Sequence, residues 1–149
     1  MLHIRNCTIF DGSDATLRDG QSIVIEGDEI REISAKISPA GGAQTLDAGG
    51  RVVMPGLIDA HFHAYATSAQ IGALERIHPA LHAHQARPVL EAALQRGFTT
   101  VRDAAGGDAG LAAAVDSGLI EGPRMFFGGR ALSMSGGHGD VRQAYEPCT

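Results

Sequence analysis

The sequence predicts an α/β fold preceded by a small all-β segment. Three observations carry that expectation. Residues 1–55 hold only short strand-like runs separated by glycine turns. From residue 56 onward the order becomes strand, helix, strand, helix, strand, loop, the βα rhythm of a parallel sheet or barrel. Hydrophobic residues make up 44% of the 149, enough to build the core of one ordinary domain.

In the first segment, Leu2, Ile4, Cys7, Ile9 and Phe10 mark a loosely alternating strand. Asp11-Gly12-Ser13-Asp14 breaks it. Residues 22–26, carrying Ile23, Val24 and Ile25, predict a second strand. Residues 29–34, with Ile30 and Ile33, predict a third, and Gly27-Asp28 between them predicts a hairpin. Residues 39–42 are a loop, and Thr45-Leu46-Asp47 is another short extended piece. Gly49-Gly50 then turns the chain into Arg51-Val52-Val53-Met54. Strands this short bury little alone, so the segment is expected to lean on something larger.

Pro55-Gly56 opens the second segment, residues 56–149. Residues 57–63 predict a strand with Leu57, Asp59, His61 and His63 on one face and Ile58 and Phe62 toward a helix layer. Residues 64–74 are rich in alanine and glycine and give no clear period. Residues 80–96 predict a helix, because Ala86, Val89-Leu90 and Ala93-Leu94 recur at helical spacing. Pro88 is expected to bend it or to mark a junction of two helices, and Gly97 to end it. Residues 98–103 form the next strand. Asp108 is the expected N-cap of a short helix over 109–117, with Leu111, Ala112 and Val115 on one side and Gly118 at its stop. Met125-Phe126-Phe127 is the third strand, residues 133–140 form a polar glycine-rich loop, and residues 143–149 show no closing element. A closed (β/α)₈ barrel needs roughly 250 residues. Residues 56–149 are therefore the opening third of a barrel or a small complete α/β domain.

Composition excludes several function classes. The net charge of −5 argues against a nucleic-acid or anionic-membrane surface. No apolar run approaches 18 residues, so no membrane span is expected. Cys7 and Cys148 do not make a disulfide scaffold. The N-terminus lacks the shape of a signal peptide, which points to the cytoplasm. No phosphate-binding or dinucleotide fingerprint follows a predicted strand, and no G-x-S-x-G elbow surrounds Ser133 or Ser135.

His61-Phe62-His63 is the sharpest local feature. Two imidazoles two residues apart in a strand point the same way and can both reach one ion, at roughly 2.0–2.1 Å. Asp59, one layer deeper, is a candidate acceptor for a histidine N–H. The alternative is two partly exposed histidines at a strand end. A catalytic metal needs about three protein ligands and an open position. Asp103, at the end of the second strand, can face the same mouth, as ion-pair or hydrogen-bonding partner or in direct contact with chemistry. Arg102 has the opposite parity and reads as structural. His138, framed by Gly136, Gly137 and Gly139, is placed to contact substrate, or it sits in a surface loop. His78, His82 and His84 read as solvated or packing side chains on the helix.

These residues resemble a known family. The string from Val53 to His63 resembles the opening of the amidohydrolase superfamily barrel, and residues 97–103 its second strand. Gly128-Gly129-Arg130-Ala131-Leu132, together with Gly136-Gly137-His138-Gly139-Asp140, resembles the imidazolonepropionase-like and Xaa-Pro dipeptidase (prolidase)-like branch. The resemblance implies that residues 56–149 are the opening third of a TIM (β/α)₈ barrel. It implies that residues 1–55 are the N-terminal part of a flanking β-sandwich. It further implies a metal-dependent hydrolase acting on amide or peptide carbon–nitrogen bonds through a metal-activated water, with Zn²⁺ as one or two divalent ions. His61 and His63 match the family's paired ligands, with Asp59, Asp103 and His138 in supporting or substrate-side positions. The sequence departs from the family elsewhere. Lys36, the only lysine, precedes the barrel and does not match the bridging lysine of the binuclear members. No later strands supply further ligands or the base. The expectation is thus the N-terminal part of a longer enzyme acting on a small-molecule or dipeptide-like substrate. The alternatives are a truncated, inactive chain or a non-enzymatic α/β interaction protein, with oligomerisation through exposed strand edges.

Overall fold

A computed structural model describes residues 1–37, 41–74, 76–137, 139, 140, 142 and 145. The chain divides into two compact units, Met1–Pro55 and Gly56–Thr149.

The first unit is one five-stranded sheet. Its strands are β1 (Leu2–Ile9), β2 (Arg18–Glu26), β3 (Glu29–Ser34), β4 (Gln44–Asp47) and β5 (Val52–Val53). The order is β3-β2-β1-β4, with β5 also on β1. β2 runs antiparallel to β1 and β3, whereas β4 and β5 run parallel to β1. The hairpin forms at Gly27, whose φ of 63° suits glycine. β2 begins earlier than its apolar pattern suggests, because Arg18 and Gln21 are held by pairing with Ile9 and Cys7. A register shift between Ile4 and Cys7, with Asn6 at φ 54°, brings both side chains to one face. There Cys7, Ile9, Ile23 and Ala48 are buried, flanked by Ile4, Ile25 and Val53. Burial pushes the Cys7 thiol pKa up, and its S–H donates to the Gln21 carbonyl at 3.1 Å. Leu46, Ile33 and Ile30 pair with Ile4, Ile23 and Ile25, so they extend the same apolar face, yet all three are exposed. The described residues of this unit thus form a β-sheet segment of one layer ahead of the α/β part.

The second unit is a parallel sheet, β6 (Leu57–Phe62), β7 (Phe98–Asp103) and β8 (Arg124–Phe127), in that order. Between β6 and β7 lie a single turn, α1 (Ile71–Leu74), and the long helix α2 (Pro79–Gln95); α3 (Ala109–Asp116) joins β7 to β8. α2 starts with Pro79 in its first turn and with His78 Nδ1 accepting from the Ala80 amide. It stays one helix through Pro88. The proline removes one ladder hydrogen bond, but Ala86, Leu90 and Ala93 on the same helix are buried and keep it packed. Gly97, at φ 91°, ends it. Asp108 caps α3, Oδ1 accepting from the Leu111 amide at 2.9 Å. The core joins Ala86 and Leu90 of α2, Val101 of β7, Leu111 and Ala112 of α3 and Met125 of β8, with Phe62 and Tyr65 against it. No helix among the described residues is long and apolar enough to cross a membrane.

One glycine is fixed by close approach. β7 carries an extra residue opposite the Leu57–Ile58 step, since Leu57 pairs with Phe98 and Ile58 with Thr100. A β-carbon on Gly56 would overlap the side chain of Thr99, including its Cβ at 2.6 Å, which no rotamer change relieves. Gly56→Ala is expected to cost about 1–3 kcal/mol in denaturant unfolding. Thr99→Ala in the same chain should restore only part of that loss, because its Cβ remains.

Candidate metal centre

His61 and His63 converge at the C-terminal end of β6. Their Nε2 atoms lie 3.2 Å apart, with the rings edge-to-face at a centroid distance of 5.0 Å. His63 is locked by its other nitrogen. Nδ1–H donates to the Ala105 carbonyl at 3.0 Å, so in the neutral ring Nε2 carries the lone pair. Two imidazole nitrogens on one tetrahedral ion at about 2.0–2.1 Å stand roughly 3.3 Å from each other. The observed separation therefore matches that of two imidazole ligands on a single divalent cation, once the proton shared between the rings is given up. Among the described residues, no third His, Cys, Asp or Glu completes a group of three with it.

A bulge aims His61. Asp59 pairs with Val101 and Phe62 with Asp103, so three steps on β6 match two on β7. Asp59 consequently shares the helix-facing side with Val101 and Phe62, and His61, next to Phe62, lies on the other. This corrects the simple alternation, which placed Asp59 beside the histidines and Ile58 toward the helices. Ile58 pairs with Thr100, lies on the face away from the helices and is 70% exposed. Asp59 has a backbone role here: its Oδ1 accepts from the His61 amide at 3.0 Å across the bulge.

Asp103 is fully buried and organises the loop that holds His63. Its Oδ2 accepts from the Ala64 amide at 2.7 Å, and its Oδ1 from the Ala105 and Gly107 amides, each at 3.0 Å. Gly107 is glycine because a β-carbon there would press on Asp103 Cγ at 2.7 Å. Arg102 is structural, as its parity predicts, with Nε donating to the Ala60 carbonyl at 2.8 Å. The helix histidines stay apart from the pair. His78 caps α2, His84 is exposed, and His82 packs its ring on Tyr65 while Nε2–H donates to the Tyr65 carbonyl. His138 and Cys148 lie outside the described residues. Asp140 accepts from the Gly136 amide and is held in two hydrogen bonds by Arg142, Nε at 2.6 Å and Nη2 at 2.7 Å. The Arg142 guanidinium and the Gly136 amide keep the Asp140 carboxyl well below the usual range.

The sequence model of the amidohydrolase family matches residues 52–147. The chain belongs to the amidohydrolase family. Ochratoxinase of Aspergillus niger is 42% identical over 96 residues, covering 60% of this chain and 19% of that enzyme. Imidazolonepropionase of Anaeromyxobacter sp. (strain K) is 42% identical over 57 residues, covering 34% of this chain and 13% of that one. The crystal structure of a prolidase complexed with N-methylphosphonate-L-proline superposes with a TM-score of 0.92 at 38% identity, over 99% of this chain and 36% of that chain. The expected branch thus stands, and the α/β fold matches the N-terminal part of amidohydrolase barrel enzymes. The chain spans about a fifth or less of the length of these curated relatives and about a third of the solved prolidase.

Within the amidohydrolase frame, patterning missed the backbone groups that hold His63: the Ala105 carbonyl and the amides of Ala64, Ala105 and Gly107. It also missed Tyr65, whose hydroxyl donates to Asp108 Oδ2 at 3.0 Å and ties the loop after β6 to the cap of α3. The one available signal was the small-residue run between Asp103 and Asp108. Burial, and then the Asp108 carboxylate, push the Tyr65 phenol from 10.0 up to about 12. A raised phenol pKa favours the folded state while the proton is on. That contribution is complete below the ordinary value and is lost as pH climbs through about 12. In a Tyr145→Phe background, the phenolate absorbance of Tyr65 should therefore rise near pH 12. Asp108→Asn, which still caps α3, should move it part of the way back toward 10, burial holding the rest.

Proposed function

We propose that this chain is the metal-gripping N-terminal part of an amidohydrolase that cleaves a carbon–nitrogen bond of amide or peptide type. The observation that carries the reading is the 3.2 Å approach of His61 and His63 Nε2, with the His63 tautomer set by the Ala105 carbonyl. His61 and His63 would hold a divalent ion, Zn²⁺ by the preference of imidazole nitrogen. When bound, that ion supplies Lewis-acid activation of water for attack on an amide-type carbon. This chain's own part is to present two imidazole nitrogens, brought together at the end of a parallel strand, the rim where barrel enzymes carry their chemistry. Further ligands and the base would come from later strands of a longer protein. The proposed substrate is a small, dipeptide-like amide, supported by the likeness to a prolidase complexed with a proline phosphonate. His138 is the proposed substrate-side residue.

Calorimetric titration with Zn²⁺ tests the reading directly. The wild-type chain should take up one ion, and His61→Ala and His63→Ala should each weaken uptake by more than about tenfold. In a protein that contains these residues and the later strands, both substitutions should abolish turnover of an Xaa-Pro dipeptide or an N-acyl amino acid. Uptake equal to wild type in both variants overturns the assignment.

A further inference from the structure

We propose that Asp103 is a positioning residue for the metal pair, which fixes the Nδ1–H tautomer of His63 through three main-chain amides. The inference deepens the proposed function and rests on it for the identity of the cation, but not for the state of the ring.

The geometry forms one connected path. The Asp103 carboxylate is sealed from solvent, and its hydrogen bonds run to main-chain amides. One oxygen grips the amide of Ala64, the residue directly after His63. The other grips the amides of Ala105 and Gly107 in the loop that follows β7. The carbonyl that receives the His63 Nδ1–H belongs to Ala105 itself. A single carboxylate therefore sets both ends of the His63–Ala105 hydrogen bond: the strand end that carries the ring and the peptide that accepts its proton. Further main-chain bonds brace the same segment. The Ala104 amide donates to the Phe62 carbonyl at 2.9 Å, and the Gly128 amide to the Asp103 carbonyl at 2.9 Å. With Nδ1 committed to Ala105, Nε2 offers its lone pair toward His61 and any ion between them.

An aspartate is needed here because all three partners are donors. Both carboxylate oxygens accept, whereas an asparagine side chain has one acceptor and one donor group. In Asp103→Asn the NH₂ must face Ala64 or the Ala105–Gly107 pair, and on that side two donors meet in a dry site. The clamp opens on one side, and the Ala105 carbonyl is no longer held in register with the ring.

The test reads the ring before the metal. The chain is labelled with ¹⁵N-histidine, His63 is assigned with the His63→Gln variant, and its ring shifts are recorded without metal at a pH of about 9, well above the ordinary imidazole range. Wild type should show a protonated Nδ1 and a bare Nε2. Asp103→Asn should show a mixture of tautomers, and its Zn²⁺ affinity should fall about 10- to 100-fold, the range for loss of a group that orients a ligand. Tyr65→Phe breaks a neighbouring loop contact without touching the clamp, and it should leave the tautomer as in wild type whatever it does to stability. A wild-type His63 protonated at Nε2 overturns the proposal even if Asp103→Asn does not fold. So does a folded Asp103→Asn with an unchanged tautomer and unchanged affinity. Failure of the metal reading looks different: the wild-type ring is protonated at Nδ1 as proposed, and Zn²⁺ leaves its shifts unmoved.

Discussion

The carboxylate of Asp103 is the constraint on which the second unit turns. It is a charge-bearing group with no exposed surface, at the end of a central strand, and such a group is tolerated only when its oxygens are filled. Three main-chain amides fill them. Those amides come from two loops, one after β6 and one after β7, so the residue welds together the rim of the parallel sheet. Gly107 must lack a side chain to come so close, and Met125 closes over the same spot from β8. Apolar packing of Leu90, Val101 and Leu111 holds the helices on the sheet, but it has no directional preference that would place one carbonyl against one ring nitrogen. Hydrogen bonds to a buried carboxylate do.

The histidine pair shows how an irregularity becomes useful. In a regular strand, alternate residues share a face. The extra residue between Asp59 and Phe62 breaks that rule, turns Asp59 to the helix side and leaves His61 aimed with His63. Asp59 then supports the bulge by holding the His61 amide. The same strand thus packs Phe62 into the core and presents two imidazoles at its end. Membership of the amidohydrolase family, seen over residues 52–147, gives that arrangement a chemical context.

Much of the fold was legible in the sequence. Helical spacing of Ala86, Leu90 and Ala93 located α2, the run from Phe98 to Asp103 located β7 residue for residue, and Asp108 announced the cap of α3. Side-chain periodicity and turn chemistry are local, so a single chain displays them. What stayed hidden is non-local or carried by the backbone. The bulge in β6 depends on its register with β7, some 40 residues away in sequence, and no feature of Asp59 or Ile58 reveals it. The continuity of α2 through Pro88 is likewise decided by packing rather than by the proline. Of the candidate site, His61 and His63 are singled out by their spacing on a strand together with the family resemblance. The partners of Asp103 are not, because every residue offers an amide and the letters Ala and Gly do not say which ones are used.

The sheet of the first unit has a further physical consequence. Its apolar side runs on past the buried patch to Ile30, Ile33 and Leu46, which stand open to water. A strip of branched aliphatic chains along edge strands gains roughly 25 cal/mol for each Å² dried against a similar strip. For the purified chain, crowding therefore sets a working limit separate from heat. Colloidal attraction grows with concentration while every hydrogen bond around Asp103 is still intact.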